Sequence, residues 1–376
     1  MSESMNKKTL IILGGGIIGI IILILLITFI ISITKKHYIK PEVLESKMVE
    51  AARKYYSKNT SLLPSVSEET MVSYDTLTKE QYIKPINEMI KDGNKCNAHV
   101  TVNNNNSQYI YTPYLYCEGI YETKELYKIL LDTNEVVTNG SGLYSDSNGG
   151  YYFKGEVTNN YIKLGQVERY SSKKDNIWKI MSIESDNTIK IKSTLNTGKT
   201  YVWDDRYNET KKSNYGYNNF EMSRIKDTLK SLNESNIMLS DIYKNKLVAR
   251  KLCIAKKNEN DEDKTGTHEC SVLSEDVYLF GLLNPYEYMR SSLDYNCKNI
   301  LSPSCANYNY LSENRSSEWT LNAYANNDYQ VYTFDGKNFS ISGAYNNKNI
   351  YPTAYLNNKT YYVSGTGTYS DPYIIK

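Results

Sequence analysis

Histidine is nearly absent: His37, His99 and His268 are the three in a chain of 376 residues. A Ser-His or Cys-His catalyst would have to rest on His99 or His268, because His37 follows directly on a long apolar run, and neither neighbours a nucleophile motif. The G-x-S-x-G elbow and the H-E-x-x-H helix do not occur, which removes two common hydrolase signatures. No C-x-x-C occurs either, and with so few imidazoles zinc ligation is not expected. Phosphate-cradling loops are missing: residues 14–19 sit in the apolar run, and Gly365-Thr366-Gly367-Thr368 lacks the Gly-Lys-Ser/Thr that would follow. Charge of one sign is missing too. The net charge is +2 with 23% charged residues, so no field favours nucleic acid as a partner. The expectation is a chain that is not an enzyme, with no catalytic, cofactor-binding or metal residue and no cofactor.

In excess is tyrosine, 37 residues against 6 phenylalanines, accompanied by many asparagines. Tyrosine joins a flat apolar face to a hydroxyl, which suits β surfaces that meet proteins or glycans. An AT-rich coding sequence inflates the same residues, and composition does not separate the two. Trp178, Trp203 and Trp319 are the candidate ligand platform, by sugar stacking, against the competing use of strand tryptophans as core. Asp261, Asp263, Thr265 and Gly266 match the first half of an EF-hand-type calcium loop, but its twelfth position is Val272. A solvated loop closed by cysteines is therefore expected there.

Cys96, Cys117, Cys253, Cys270, Cys297 and Cys305 form an even set in three local couples. Six cysteines permit many pairings; proximity favours Cys96 with Cys117, Cys253 with Cys270 and Cys297 with Cys305. Disulfides imply an oxidising compartment. Residues 10–33, LIILGGGIIGIIILILLITFIISI, hold no charged side chain, and at about 1.5 Å per residue such a helix crosses the roughly 30 Å bilayer core. A single transmembrane helix kept as a signal-anchor is expected, after a short cytoplasmic tail at 1–9; a cleaved signal peptide has a shorter apolar region. Lys7 and Lys8 precede the run while Lys35, Lys36 and Lys40 follow it. The positive-inside count alone favours a cytoplasmic C-terminus, whereas the cysteines and the long C-terminal part favour the outside. The expected localisation is the cell membrane, single-pass, with the bulk of the chain extracellular. Gly15 and Gly19 make a G-x-x-x-G, a spacing that permits a weak homodimer.

Beyond the run, Pro41 opens an amphipathic helix carrying Leu44, Met48, Ala51, Ala52 and Tyr55 through Lys58. A second helical pattern covers 73–90, and 96–102 and 109–117 alternate as two strands. Residues 34–137 thus read as a juxtamembrane helix plus a disulfide-closed sheet domain. TNGSGLYSDSNGG, 138–150, reads as a linker or exposed loop. A β-rich extracellular domain is expected over 151–376, with Trp178, Ile180 and Ile183 opposite Ile189 and Ile191 across a hairpin turn at 185–187. The fold class expected is α+β: an N-terminal transmembrane helix, a small helix-plus-antiparallel-sheet domain, then a larger mixed α/β domain.

The order apolar helix, amphipathic helix, compact sheet resembles the layout of type IV pilins and pseudopilins. Further on, Tyr151-Tyr152-Phe153-Lys154-Gly155-Glu156, Asn159-Asn160-Tyr161, Trp178-Lys179-Ile180, Asp186-Asn187-Thr188-Ile189-Lys190, Trp203-Asp204-Asp205-Arg206-Tyr207-Asn208, Trp319-Thr320-Leu321 and Gly365-Thr366-Gly367-Thr368 to Asp371-Pro372-Tyr373-Ile374-Ile375 together resemble a family of uncharacterised single-pass surface proteins of Firmicutes. That likeness covers nearly all of 151–376 and implies location and architecture, not chemistry. The closing strands are also similar to C-type-lectin-like and formylglycine-generating-enzyme-like folds, which implies a lectin-like larger domain. The expected function is a membrane-anchored extracellular surface protein, a non-catalytic binding or adhesion module for protein or glycan ligands. The alternative is a pseudopilin-like structural or assembly component of a surface appendage.

Overall fold

The computed structural model describes residues 38–65, 68–105, 108–169 and 171–376. The chain divides into two units, one ending at Glu122 and one spanning Thr123–Lys376.

In the first unit, α1 (Pro41–Lys58) begins where Pro41 fixes φ at the first position and Glu42 sits in the first turn. Leu44, Met48, Ala51, Ala52 and Tyr55 recur every three or four residues and are buried. They share one apolar cluster with Val72, Val100, Val102 and Leu115 of an antiparallel sheet, β1 (Glu69–Ser73), β2 (Cys96–Asn105), β3 (Gln108–Cys117) and β4 (Tyr121–Glu122), in that order. Cys96 faces Cys117 in register, and their disulfide ties the ends of β2 and β3. The helical pattern expected over 73–90 is split into α2 (Tyr74–Lys79) and a single turn, α3 (Ile86–Met89). Between them Gln81 is left-handed at φ 60°, and Pro85 has no N–H to continue a helix.

The second unit carries β5 (Gly142–Ser145), β6 (Tyr151–Lys154), β7 (Tyr161–Arg169), β8 (Ser172–Ile183), β9 (Ile189–Ser193), β10 (Thr200–Val202), β11 (Phe280–Gly281), β12 (Glu318–Ala323), β13 (Gln330–Phe334), β14 (Phe339–Gly343), β15 (Asn347–Asn349), β16 (Thr353–Leu356), β17 (Tyr362–Ser364) and β18 (Tyr373–Ile375). Nine described strands form one sheet, in which β11-β16-β9-β8-β7-β18-β17 are neighbours, β6 joins β8 and β5 joins β6. The other sheet has five, β10-β15-β12-β13-β14. The β8–β9 hairpin pairs Ile183 with Ile189 and Ile180 with Ile191, around a turn in which Asn187 takes φ 64°. Helices α4 (Leu126–Thr133), α5 (Arg224–Glu234) and α6 (Pro285–Ser291) are threaded between strands along the chain.

That threading corrects the α+β expectation: the chain is mixed α/β, β-rich in both units and with few helices. Its larger unit is built on these two sheets. No helix among the described residues is long and apolar enough to cross a membrane. The span expected at 10–33, with Gly15 and Gly19, lies outside the described residues. Residues 138–150, expected as a linker or exposed loop, lie inside the second unit, and most of them are exposed. There Leu143 is fully buried and β5 pairs with β6, so the glycines and serines mark hairpin turns instead of a tether.

The nine-stranded sheet is buried on both sides at β9. Ile189 and Ile191 join the apolar core, while Lys190 and Lys192 point the other way and are also buried. Lys190 pairs with Glu287 of α6, and Lys192 Nζ lies 2.8 Å from Glu318 Oε2 of β12. Lys179, opposite Lys192 in register, reaches Glu313 at 3.1 Å. Burial alone would lower both ammonium groups of β9. At Lys190 burial is the largest single influence, but the Glu287 carboxylate together with Tyr355 and Tyr286 outweighs it and holds the group well above its ordinary range. At Lys192 burial prevails over Glu318, helped by the like charge of Arg315, and the group falls to about 8.

A third buried pair joins Lys257 and Glu269 at 3.0 Å. Burial pushes the Glu269 carboxyl up to about 7 against the pull of Lys257. Its folded value lies above its ordinary 4.5, so between those values the folded chain holds a proton that the unfolded chain has lost, and stability falls as pH rises through that window. Thermal melts between about pH 5 and about pH 8 should show Glu269→Gln removing part of this fall, the carboxamide having no proton to lose. Parallel profiles for variant and wild type would contradict the assignment.

Candidate functional site

The tryptophans expected as a ligand platform are core. Trp178, Trp203 and Trp319 are each 0% exposed. Trp178 Nε1 donates to Asn176 Oδ1 at 3.1 Å and Trp319 Nε1 to the Tyr201 carbonyl at 2.7 Å, while Trp203 packs edge-on against Phe220. No ring face is left for a sugar: among the described residues these are the largest fully buried side chains. All six cysteines are spent in the disulfides Cys96–Cys117, Cys253–Cys270 and Cys297–Cys305.

The half calcium motif is consumed by its own loop. Asp261 takes Lys257 Nζ at 3.1 Å and His268 Nδ1 at 3.0 Å. Asp263 accepts the Thr265 and His268 N–H groups at 2.8 and 2.9 Å. Among the described residues no cluster of three metal-ligating side chains occurs. His99 stacks on Tyr114, centroids 5.0 Å apart, and burial lowers its pKa.

The structure instead assembles a surface around a stretch, Asp204 to Asn208 and the residues after it, that stood in the sequence as part of a resemblance and not as a site. Between β10 and α5 the chain runs through 204–219, DDRYNETKKSNYGYNN, and three buried polar side chains hold this loop. Asp204, 0% exposed, accepts Arg206 Nε at 2.8 Å and the Tyr217 N–H at 2.7 Å. Asn208 Nδ2 donates to the Gly216 carbonyl at 2.8 Å, and its Oδ1 accepts the Lys211 N–H at 2.9 Å. Asn218 Nδ2 lies within hydrogen-bond reach of the Tyr324, Asn327 and Gln330 carbonyls, and its Oδ1 accepts Lys256 Nζ at 2.6 Å. Gly216 is left-handed at φ 68°, and a Cβ there would lie 2.0 Å from the Asp204 carbonyl oxygen. Only glycine fits so close an approach.

This scaffolding presents aromatic rings. Tyr215 meets Tyr345 at 4.6 Å and Tyr329 at 5.6 Å, both edge-on. Lys211 Nζ stands 4.4 Å over the Tyr329 ring. Tyr345 and Tyr207 remain exposed, and the half-buried Tyr215, Tyr217 and Tyr329 complete the face. Chemically it offers flat apolar rings, phenolic hydroxyls and amides on a loop whose backbone is already fixed, which lowers the entropy lost on binding. The signal that could have found it is the Tyr-Gly-Tyr amid asparagines, since asparagine both tolerates turns and anchors carbonyls. No known protein family, no curated protein and no solved structure matches the chain.

Proposed function

We propose that the chain is an extracellular surface protein of the cell membrane and a non-catalytic binding module, which engages a protein or glycan through the 204–219 loop and its aromatic face. The observation that carries this is the use of three buried polar side chains, Asp204, Asn208 and Asn218, to fix one surface loop. These satisfied interior hydrogen bonds hold the loop in one shape, and aromatic rings on rigid loops are common binding anchors. Three disulfides support an oxidising location.

Binding of the full chain to arrayed extracellular proteins and glycans is the test. Wild type should bind a discrete set. The Tyr329→Ala/Tyr345→Ala double variant should lose at least about tenfold in affinity, the scale of a lost aromatic anchor, with an unchanged melting point. Equal binding by both forms would sink the assignment. Protease shaving of intact cells tests the location, since an outward-facing chain is cut at exposed loops.

A second reading, an assembly component, is favoured by one observation: in the first unit α1 lies along a compact four-stranded antiparallel sheet. Recovery of the chain in sheared high-molecular-weight fibres would support it over the binding module.

A further inference from the structure

The segment from Gly365 to Pro372 takes no part in the aromatic face, yet its shape is fixed. Gly365 and Gly367 are left-handed at φ 96° and 79°, and a Cβ would lie 2.1 Å from the Pro372 carbonyl oxygen at the first and 2.3 Å from the Asn159 carbonyl oxygen at the second. Asp371 Oδ2 accepts the Thr366 N–H at 2.9 Å. The turn holds Tyr369 66% exposed, its ring edge-on to Tyr161 at 5.4 Å. Beside that ring opens a cleft of about 240 Å³, whose lining includes Lys163, Asp175, Asp371, Ile177, Pro372 and Ile374.

A bulge supplies the chemistry of this cleft. In a regular strand Lys163 and Gln166 would point to opposite faces. The β7–β8 register shifts between them, at Gly165 with φ 72°, where a Cβ would lie 2.7 Å from the Tyr243 ring. The irregularity re-aims the side chains, so both reach one carboxylate: Lys163 Nζ lies 2.8 Å from Asp175 Oδ2, and Gln166 Nε2 donates to Oδ1 at 2.9 Å. The lysine and then the amide hold the Asp175 carboxyl below its ordinary range. Asp175 and Lys163 cancel in charge. Asp371 adds a second carboxylate, so the lining carries one net negative charge. The cleft shows carboxylate acceptors and an ammonium donor, with the Gln166 amide behind Asp175, beside the apolar side chains of Ile177, Pro372 and Ile374 and an exposed aromatic ring.

We propose that this cleft is a saccharide subsite for one neutral pyranose ring. The C–H face of the sugar lies on Tyr369, and neighbouring hydroxyls, each both donor and acceptor, bond Asp175 and the Lys163 ammonium. An anion would meet Asp175 and Asp371 and a cation would meet Lys163; the hydroxyls of a neutral polyol donate to the carboxylates and accept from the ammonium. The site uses none of the residues of the 204–219 face, so the two stand or fall separately.

Saturation-transfer NMR of the full chain with maltotriose, cellotriose and chitotriose tests it. Saturation should pass to the ring protons of at least one of these sugars, vanish in Tyr369→Ala, weaken about tenfold in affinity in Asp175→Asn, and persist in Tyr345→Ala. Both altered side chains are exposed enough that folding survives, which equal melting points verify; should Tyr369→Ala melt lower, Asp175→Asn decides. Absence of transfer to all three sugars, or transfer untouched by both variants, overturns the subsite. Loss in Tyr345→Ala alone overturns it as well and moves the sugar to the 204–219 face.

Discussion

Glu318→Ala should cost about 3–5 kcal/mol of folding stability, the scale set by breaking one side of a buried ion pair. Glu318 and Lys192 are both 1% exposed, so the variant strands an ammonium in the interior. Arg315 Nη1, 3.6 Å from Glu318 Oε1, loses one of two carboxylate partners at the same time and keeps Glu313. Lys192 keeps one other acceptor, the Tyr351 carbonyl at 3.2 Å, which satisfies a donor but not the charge. Urea unfolding should show a lower midpoint at constant slope. The double variant Lys192→Met/Glu318→Leu should recover most of the loss, since well-packed apolar replacement of a buried pair is often neutral. A loss under about 1 kcal/mol for Glu318→Ala would mean that the pair is solvated and that the charged face of β9 is not interior.

Trp319→Ala should cost a comparable amount, about 3–5 kcal/mol, through lost burial and the cavity left behind. The indole is 0% exposed and its Nε1 bonds the Tyr201 carbonyl, so the variant also removes that hydrogen bond from a half-buried residue. Tyr345→Ala, at a ring 38% exposed, should change stability by about 0.5 kcal/mol or less. The two variants thus separate core from surface: the tryptophan governs the melting point, the tyrosine governs binding. Trp319→Ala that abolished binding with an unchanged melting point would restore the tryptophans as a platform.

What the sequence made legible is local. The stripe of α1, the β8–β9 hairpin and the pairing of neighbouring cysteines each follow from contacts within about twenty residues, where periodicity and turn chemistry act directly. Partners far apart in the chain were not legible. The alternation Ile-Lys-Ile-Lys-Ser of β9 is the pattern of a strand with one wet face, and nothing within it shows that Glu287 and Glu318 cover Lys190 and Lys192. The stretch 138–150 has linker composition because hairpin turns and linkers use the same glycines, serines and asparagines; Leu143 was its one sign of a core. At the site, Trp203-Asp204-Asp205-Arg206-Tyr207-Asn208 was visible as a pattern, but Asn208 anchors on the Gly216 carbonyl, and the loop's other anchor, Asn218, bonds carbonyls more than a hundred residues later, at Tyr324 to Gln330.

The most direct measurement of the central claim is amide hydrogen exchange of the full chain, free and with the strongest ligand from the array bound. Engagement of the aromatic face predicts slowed exchange in 204–219 and at Tyr329 and Tyr345, with Trp178 and Trp319 unchanged. Protection confined to other segments, with 204–219 exchanging as in the free chain, would contradict it.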